Sequence, residues 1–145
     1  MPADRQSLVA IARSWIGTPY RHRGRLKGVG VDCAMLVAEV YIEAGLIARR
    51  DYGDYPPDWH LHRADERYTR FVLGEAAREI PLKEALPGDV VLMRIGRAFA
   101  HGAILTDRWP MGIHAYKPAG FVLEDRLDGG ELAGRDLKIF TRDPE

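Results

Sequence analysis

GVDCAMLVAEVYIEAG, residues 30–45, is the stretch on which the fold turns. Met35, Leu36, Val37, Val40, Tyr41 and Ala44 recur at helical spacing, Asp32 is a suitable N-cap, and Gly45 is a C-terminal stop. The spacing predicts a largely buried helix over 33–44, with the chain's one cysteine, Cys33, at its start.

On the N-terminal side, RHRGRLKGVG (21–30) carries five basic or histidine side chains and three glycines without an apolar period, which reads as a loop. Further upstream Leu8, Val9, Ile11, Ala12, Trp15 and Ile16 predict an amphipathic helix over 4–16, capped by Asp4 or Ser7 and ended by Gly17 and Pro19. On the C-terminal side DYGDYPPDW (51–59) is rich in turn formers and reads as irregular, and a more polar third helix is predicted over 61–78. Beyond Pro87 come short β-like runs at 90–95, 103–106, 113–116, 121–124 and 137–141, separated by Gly, Pro and Asp. Helices first and strands later predict the α+β class, N-terminal helices packed on an antiparallel sheet. No repeat or linker divides the chain, so one domain over 1–145 is expected.

Composition narrows the function. The 145 residues hold 21 Lys and Arg against 21 Asp and Glu, and 46% are hydrophobic, enough for a substantial core. A balanced charge argues against nucleic acid as a partner, because phosphate binding needs a surplus of cations. Arg, Lys, Asp or Glu interrupts every apolar run well short of the roughly 20 residues a membrane-spanning helix needs. Arg13 cuts the N-terminal apolar patch, so no signal peptide is expected and synthesis is placed in the cytoplasm. Zero net charge conceals an asymmetry: residues 1–30 hold six basic side chains and one acidic, whereas 124–145 hold four and seven. One cysteine excludes an internal disulfide and a four-thiolate zinc site.

A lone cysteine is more often an inert buried side chain than a nucleophile. Cys33 differs by position, since the amides and dipole at a helix start favour a thiolate and supply donors for a substrate oxyanion. Of the five histidines, His22 lies in the basic loop and His60 and His62 flank a helix start, where solvated or capping roles suffice. His101 and His114 lie on β-like runs that would fix an imidazole. If the intervening hairpin is centred between Asp107 and Arg108, positions 101 and 114 face each other across the strands. They would then be a general base and the residue that orients it. Two ordinary strand histidines are the alternative.

The runs GTPYRHRGRLKGVGVDCAMLVAEVY, PGDVVLMRIGRAFAHGAILTD and GIHAYKPAGFVLEDRL, in this order, resemble the NlpC/P60 family of cysteine peptidases. The likeness runs from Ile11 to about Leu127 and is nearest to short members encoded with phage tails and gene transfer agents; YPPDWHLHRADERY resembles the segment those members carry after the nucleophile helix. The resemblance implies a papain-like core, with Cys33 as nucleophile, His101 as base and His114 as the polar third residue. Tyr20 matches a family tyrosine beside the active site, and either contacts substrate or packs under the loop. Asp32 matches the motif's acidic residue, although an N-cap role is enough to explain it. Two departures bear on substrate preference. Ala34 and Met35 replace the Ser and Gly common after the nucleophile, and the basic loop replaces a glycine pair and tryptophan.

The resemblance further implies hydrolysis of amide bonds in peptidoglycan stem peptides, next to γ-D-glutamyl and a diamino acid, with no metal or organic cofactor. Arg21, Arg23, Arg25 and Lys27 precede the nucleophile and are placed either to attract an acidic peptide or simply to solvate a loop. Tyr52, Tyr55 and Trp59 either wall the cleft or cover the core. Incorporation into a phage-like particle, with tail-tip proteins as partners, follows from the same resemblance. The competing functions are a catalytically silent tail-tip component and an amidase or acyltransferase acting on a substrate outside the wall.

Overall fold

The computed structural model describes residues 4–49, 74, 77–95 and 98–142. Asp4 caps the first helix, α1 (Arg5–Arg13), by accepting from the Ser7 amide at 2.8 Å, and the helix buries Leu8, Val9 and Ala12. The chain next forms a small antiparallel hairpin, β1 (Arg25–Leu26) and β2 (Gly30–Val31), and enters α2 (Cys33–Glu43). Asp32 caps α2 through Oδ1, which accepts from the Met35 amide at 2.9 Å, and Gly45 at φ 77° closes its far end. Every residue from Cys33 to Tyr41 is buried, Glu39 included. That carboxylate is neutralised by Arg25 at 2.7 Å and Arg49 at 2.6 Å, which is how a charge is tolerated on an otherwise apolar helix.

The remaining strands are β3 (Arg78–Ile80), β4 (Val90–Ile95), β5 (Ala98–Leu105), β6 (Met111–Tyr116), β7 (Phe121–Arg126) and β8 (Leu137–Thr141). They form one antiparallel sheet in the order β3-β8-β4-β5-β6-β7. Alternate residues face opposite sides. Val90, Leu92, Ile104, Ile113, Ala115 and Val122 pack with α2 and with Leu8, Ala12 and Trp15. Val91, Met93, Ala103, Leu105 and Ile139 pack on the other side with Ile80, Leu127 and Leu132. Burial on both faces explains the unbroken apolar run at the start of β4, and gives the sheet a second core beyond the helix-facing one expected from sequence. Asp89, just before β4, accepts from Arg5 at 2.7 Å, Thr141 at 2.6 Å and the Leu86 amide at 2.9 Å, fastening α1, the β4 entry and β8 together.

Beyond the shifted end of α1, at Arg13 instead of Ile16, and the shifted start of β5, at Ala98 instead of 103, three sequence expectations change. Residues 21–30 contain the β1/β2 hairpin, whose two-residue strands are too short to leave an alternating signal. It is tightly closed: a Cβ at Gly24 would lie 2.6 Å from the Gly30 carbonyl. The predicted end of the 61–78 helix is strand instead, because Arg78 opens β3 against Thr141; residues 61–73, 75 and 76 lie outside the described residues. The third change concerns the β5/β6 register.

Candidate functional site

Cys33 is 8% exposed at the first turn of α2. Its sulfur is met by the backbone amides of Gly102, Ala34 and Cys33 itself, which favour a thiolate. Burial opposes them and is the larger effect; with the Asp32 carboxylate alongside, the thiol is pushed up to about 12. The helix start thus supplies the expected donors, but they do not outweigh desolvation.

His101 lies beside Gly102 on β5, opposite Met93, where the β4/β5 register shifts between Met93 and Arg94. Bulges of this kind re-aim side chains. The β5/β6 pairs are Ile104 with Ile113 and Leu105 with Gly112, which centres the hairpin between Arg108 and Trp109 instead of between Asp107 and Arg108. The turn is displaced by one residue because Trp109 packs into the second core and Pro110 has no N–H for the ladder. His101 and His114 are therefore diagonal neighbours on one face, still within reach for long side chains. Nε2 of His101 lies 2.8 Å from Nδ1 of His114, with the ring centroids 5.1 Å apart.

Both imidazoles are held neutral. Burial, then the neighbouring His114, lowers His101 to about 3, and burial lowers His114 to about 4 against a smaller upward pull from Asp125. Two neutral rings leave one proton in their shared hydrogen bond. If it sits on Nε2 of His101, Nδ1 of that ring is an open base, and His114 is the Nε2–H tautomer.

Tyr20 is brought to the same place. Burial and the nearby Cys33 and Asp32 charges push its phenol upwards, so it stays a protonated donor. Asp32 Oδ2 accepts from the Arg23 amide at 2.7 Å and lies 3.8 Å from His22 Nδ1, so this one carboxylate pins the loop to the start of α2. Arg23 itself is exposed and adopts a left-handed φ of 61°. Arg25 and Lys27 are turned to structural work instead, Arg25 on Glu39 and Lys27 on Glu43 at 3.1 Å and Ser14 at 2.6 Å. Tyr52, Tyr55, Trp59, His60 and His62 lie outside the described residues. Among the described residues no three His, Cys, Asp or Glu side chains converge as metal ligands, and no helix is long and apolar enough to cross a membrane.

Sequence reasoning missed Tyr116. Its ring stacks on His114, and the signal was available: two residues along a strand returns to the same face.

Acid should weaken this site. Each histidine has a folded pKa below its unfolded value of 6.5, so the unfolded chain takes up protons that the folded chain does not. Their contribution to stability is complete above pH 6.5 and is lost as pH falls towards about 4 and 3. The slope approaches about 1.4 kcal/mol per pH unit per histidine. Urea unfolding at pH 7.5 and pH 5 checks this, with a smaller difference expected for a His101→Gln/His114→Gln double variant.

Comparison with known proteins gives the site its context. The sequence profile of the NlpC/P60 family matches residues 17–131, a span that includes Tyr20, Asp32, Cys33, His101, His114 and Tyr116. No curated protein matches the sequence. Among solved structures, the NlpC/p60 domain of the peptidoglycan hydrolase SagA superposes with a TM-score of 0.61 at 22% identity, covering 94% of this chain and 98% of that one. The peptidoglycan hydrolase RipB from Mycobacterium tuberculosis gives 0.65 at 22% identity, over 97% of this chain and 65% of its own. NlpC2 from Trichomonas vaginalis gives 0.65 at 16% identity, over 96% of this chain and 48% of its own. These likenesses share the two helices and antiparallel sheet of the papain-like α+β fold. With a family profile matched over most of its length, on a fold that brings His101 and His114 together on strands packed against α2, the chain belongs to the NlpC/P60 family.

Proposed function

We propose that the protein is a cysteine peptidase that hydrolyses the amide bond between γ-D-glutamate and a diamino acid in peptidoglycan stem peptides. The observation that carries this reading is the 2.8 Å contact between His101 Nε2 and His114 Nδ1, on the strand whose Gly102 amide meets the Cys33 sulfur. That contact leaves Nδ1 of His101 for the thiol proton. Because both partners start neutral, His101 takes the proton as the sulfur bonds to the scissile carbonyl carbon. The carbonyl electron pair moves to oxygen, where helix-start amides and the Tyr20 hydroxyl are the available donors. The tetrahedral adduct collapses, His101 gives its proton to the leaving amine, and a thioester remains on Cys33. Water, deprotonated by His101, attacks the thioester and restores the thiol.

His114 holds the tautomer of His101, while Asp32 sets the first turn of α2 and, through Arg23, the loop beside it. Tyr20, close to Cys33, and the exposed Arg23, whose amide is held by Asp32, are the groups proposed to meet the substrate. The neighbours described as peptidoglycan hydrolases support the substrate class. The likeness of the quoted sequence runs to tail-encoded family members supports a place in the tail tip of a phage-like particle or gene transfer agent, which would carry the hydrolase to the wall after cytoplasmic synthesis. Mass spectrometry of peptidoglycan digested by the purified protein tests the reading. The expected products end in a free D-glutamyl carboxyl and begin with a free diamino acid amine. Fragments cut elsewhere, or an undigested wall, would reject it.

A further inference from the structure

Tyr116 takes no part in the chemistry above, yet its ring lies against both histidines. It stacks on His114 with centroids 4.9 Å apart and planes 12° from parallel, and faces His101 at 5.8 Å. The phenol is itself tethered. Its hydroxyl donates to Glu131 Oε2 at 3.2 Å, and Glu131 sits in a 3-10 turn (Gly130–Leu132) whose Glu131 carbonyl accepts from Arg135 Nε at 2.9 Å. Desolvation and the Glu131 carboxylate raise the phenol's pKa, which keeps the hydroxyl a donor.

The ring orientation of His114 matters because the two faces of an imidazole edge are not equivalent. Turning the ring by half a revolution about Cβ–Cγ would replace Nδ1 by a C–H group, which cannot accept from Nε2 of His101. A flat aromatic packed parallel at this distance blocks that rotation, since the turning edge would enter the phenol.

We propose that Tyr116 is a positioning residue, its stacked ring, tethered by Glu131, fixing His114 with Nδ1 towards His101. The inference rests on the reading of Cys33, His101 and His114 as the reacting groups. It acts through another residue and touches no substrate, so it is to be measured in kcat and in the state of the imidazole.

The test uses the full chain and a stem tetrapeptide containing the γ-D-glutamyl–diamino acid bond, together with long-range 1H–15N NMR of the histidine rings. Tyr116→Leu should lower kcat roughly 10- to 100-fold with KM changed by less than about twofold. The His114 nitrogen shifts should move from a single Nε2–H tautomer to a mixture. Tyr116→Phe keeps the stack and loses the tether, and should hold kcat within about threefold with one tautomer retained. Glu131→Ala, at an exposed position that leaves the core intact, removes the same tether and should likewise hold kcat within about threefold with one tautomer retained. Wild-type kcat and unchanged His114 shifts in Tyr116→Leu overturn the proposal, as does a loss of kcat without any change in the His114 tautomer. Cleavage by a parallel Cys33→Ala sample would instead defeat the underlying reading, and the NMR result stands independently of turnover.

Discussion

The Cys33→Ala protein should fold like the wild type and cleave no stem peptide. The substitution removes one sulfur atom from a buried first-turn position, and alanine is the best helix former. The cap from Asp32 to the Met35 amide is untouched, so the melting temperature should stay within a few degrees of wild type. Activity should fall at least about 10^4-fold, because neither oxyanion donors nor the histidine pair can form the thioester without a nucleophile. Initial rates by chromatography and a thermal melt on the same sample check both halves. A folded Cys33→Ala protein that retains wild-type cleavage would remove Cys33 from the mechanism.

His101→Ala should be nearly as damaging, for a reason set by burial. With burial pushing the thiol up to about 12, the thiolate is scarce at pH 7 without help. Proton removal by His101 is therefore part of the attack, and losing it should lower kcat about 10^2- to 10^4-fold. Added imidazole, small enough to enter the vacated space, should restore part of the rate, and raising the pH should help the variant more than the wild type. Activity within tenfold of wild type in His101→Ala would mean that another group takes the proton.

Much of this architecture was legible because its signals are local. Asp4, Asp32 and Gly45 delimit α1 and α2 as their residue types suggest, and β4 and β8 have the predicted bounds 90–95 and 137–141. The rest depends on partners distant in sequence. β5 begins at Ala98 instead of 103 because its first half crosses a bulge that has no alternating pattern. Arg78–Ile80 is strand only because β8 offers it an edge. A hairpin centred between Asp107 and Arg108 would set His101 directly opposite His114, whereas the observed pairing makes them diagonal, since register follows the geometry of the connection 106–110. The site residues are separable from the background by chemistry, but their electrostatics are not. A helix start argues for a lowered thiol pKa, and only the packed structure shows that burial and Asp32 win. The basic loop divides in the same way: Arg25 and Lys27 are ordinary cations in sequence and partners of Glu39 and Glu43 in the fold.

Trapping the acyl-enzyme tests the account most directly. Wild-type protein mixed with excess stem tetrapeptide and quenched in acid should carry the L-alanyl-γ-D-glutamyl group as a thioester on the peptide containing Cys33, seen by mass spectrometry. Hydroxylamine added during turnover should divert the same acyl group to a hydroxamate. Cleavage of the tetrapeptide with neither a Cys33 adduct nor a hydroxamate would contradict nucleophilic catalysis by this residue.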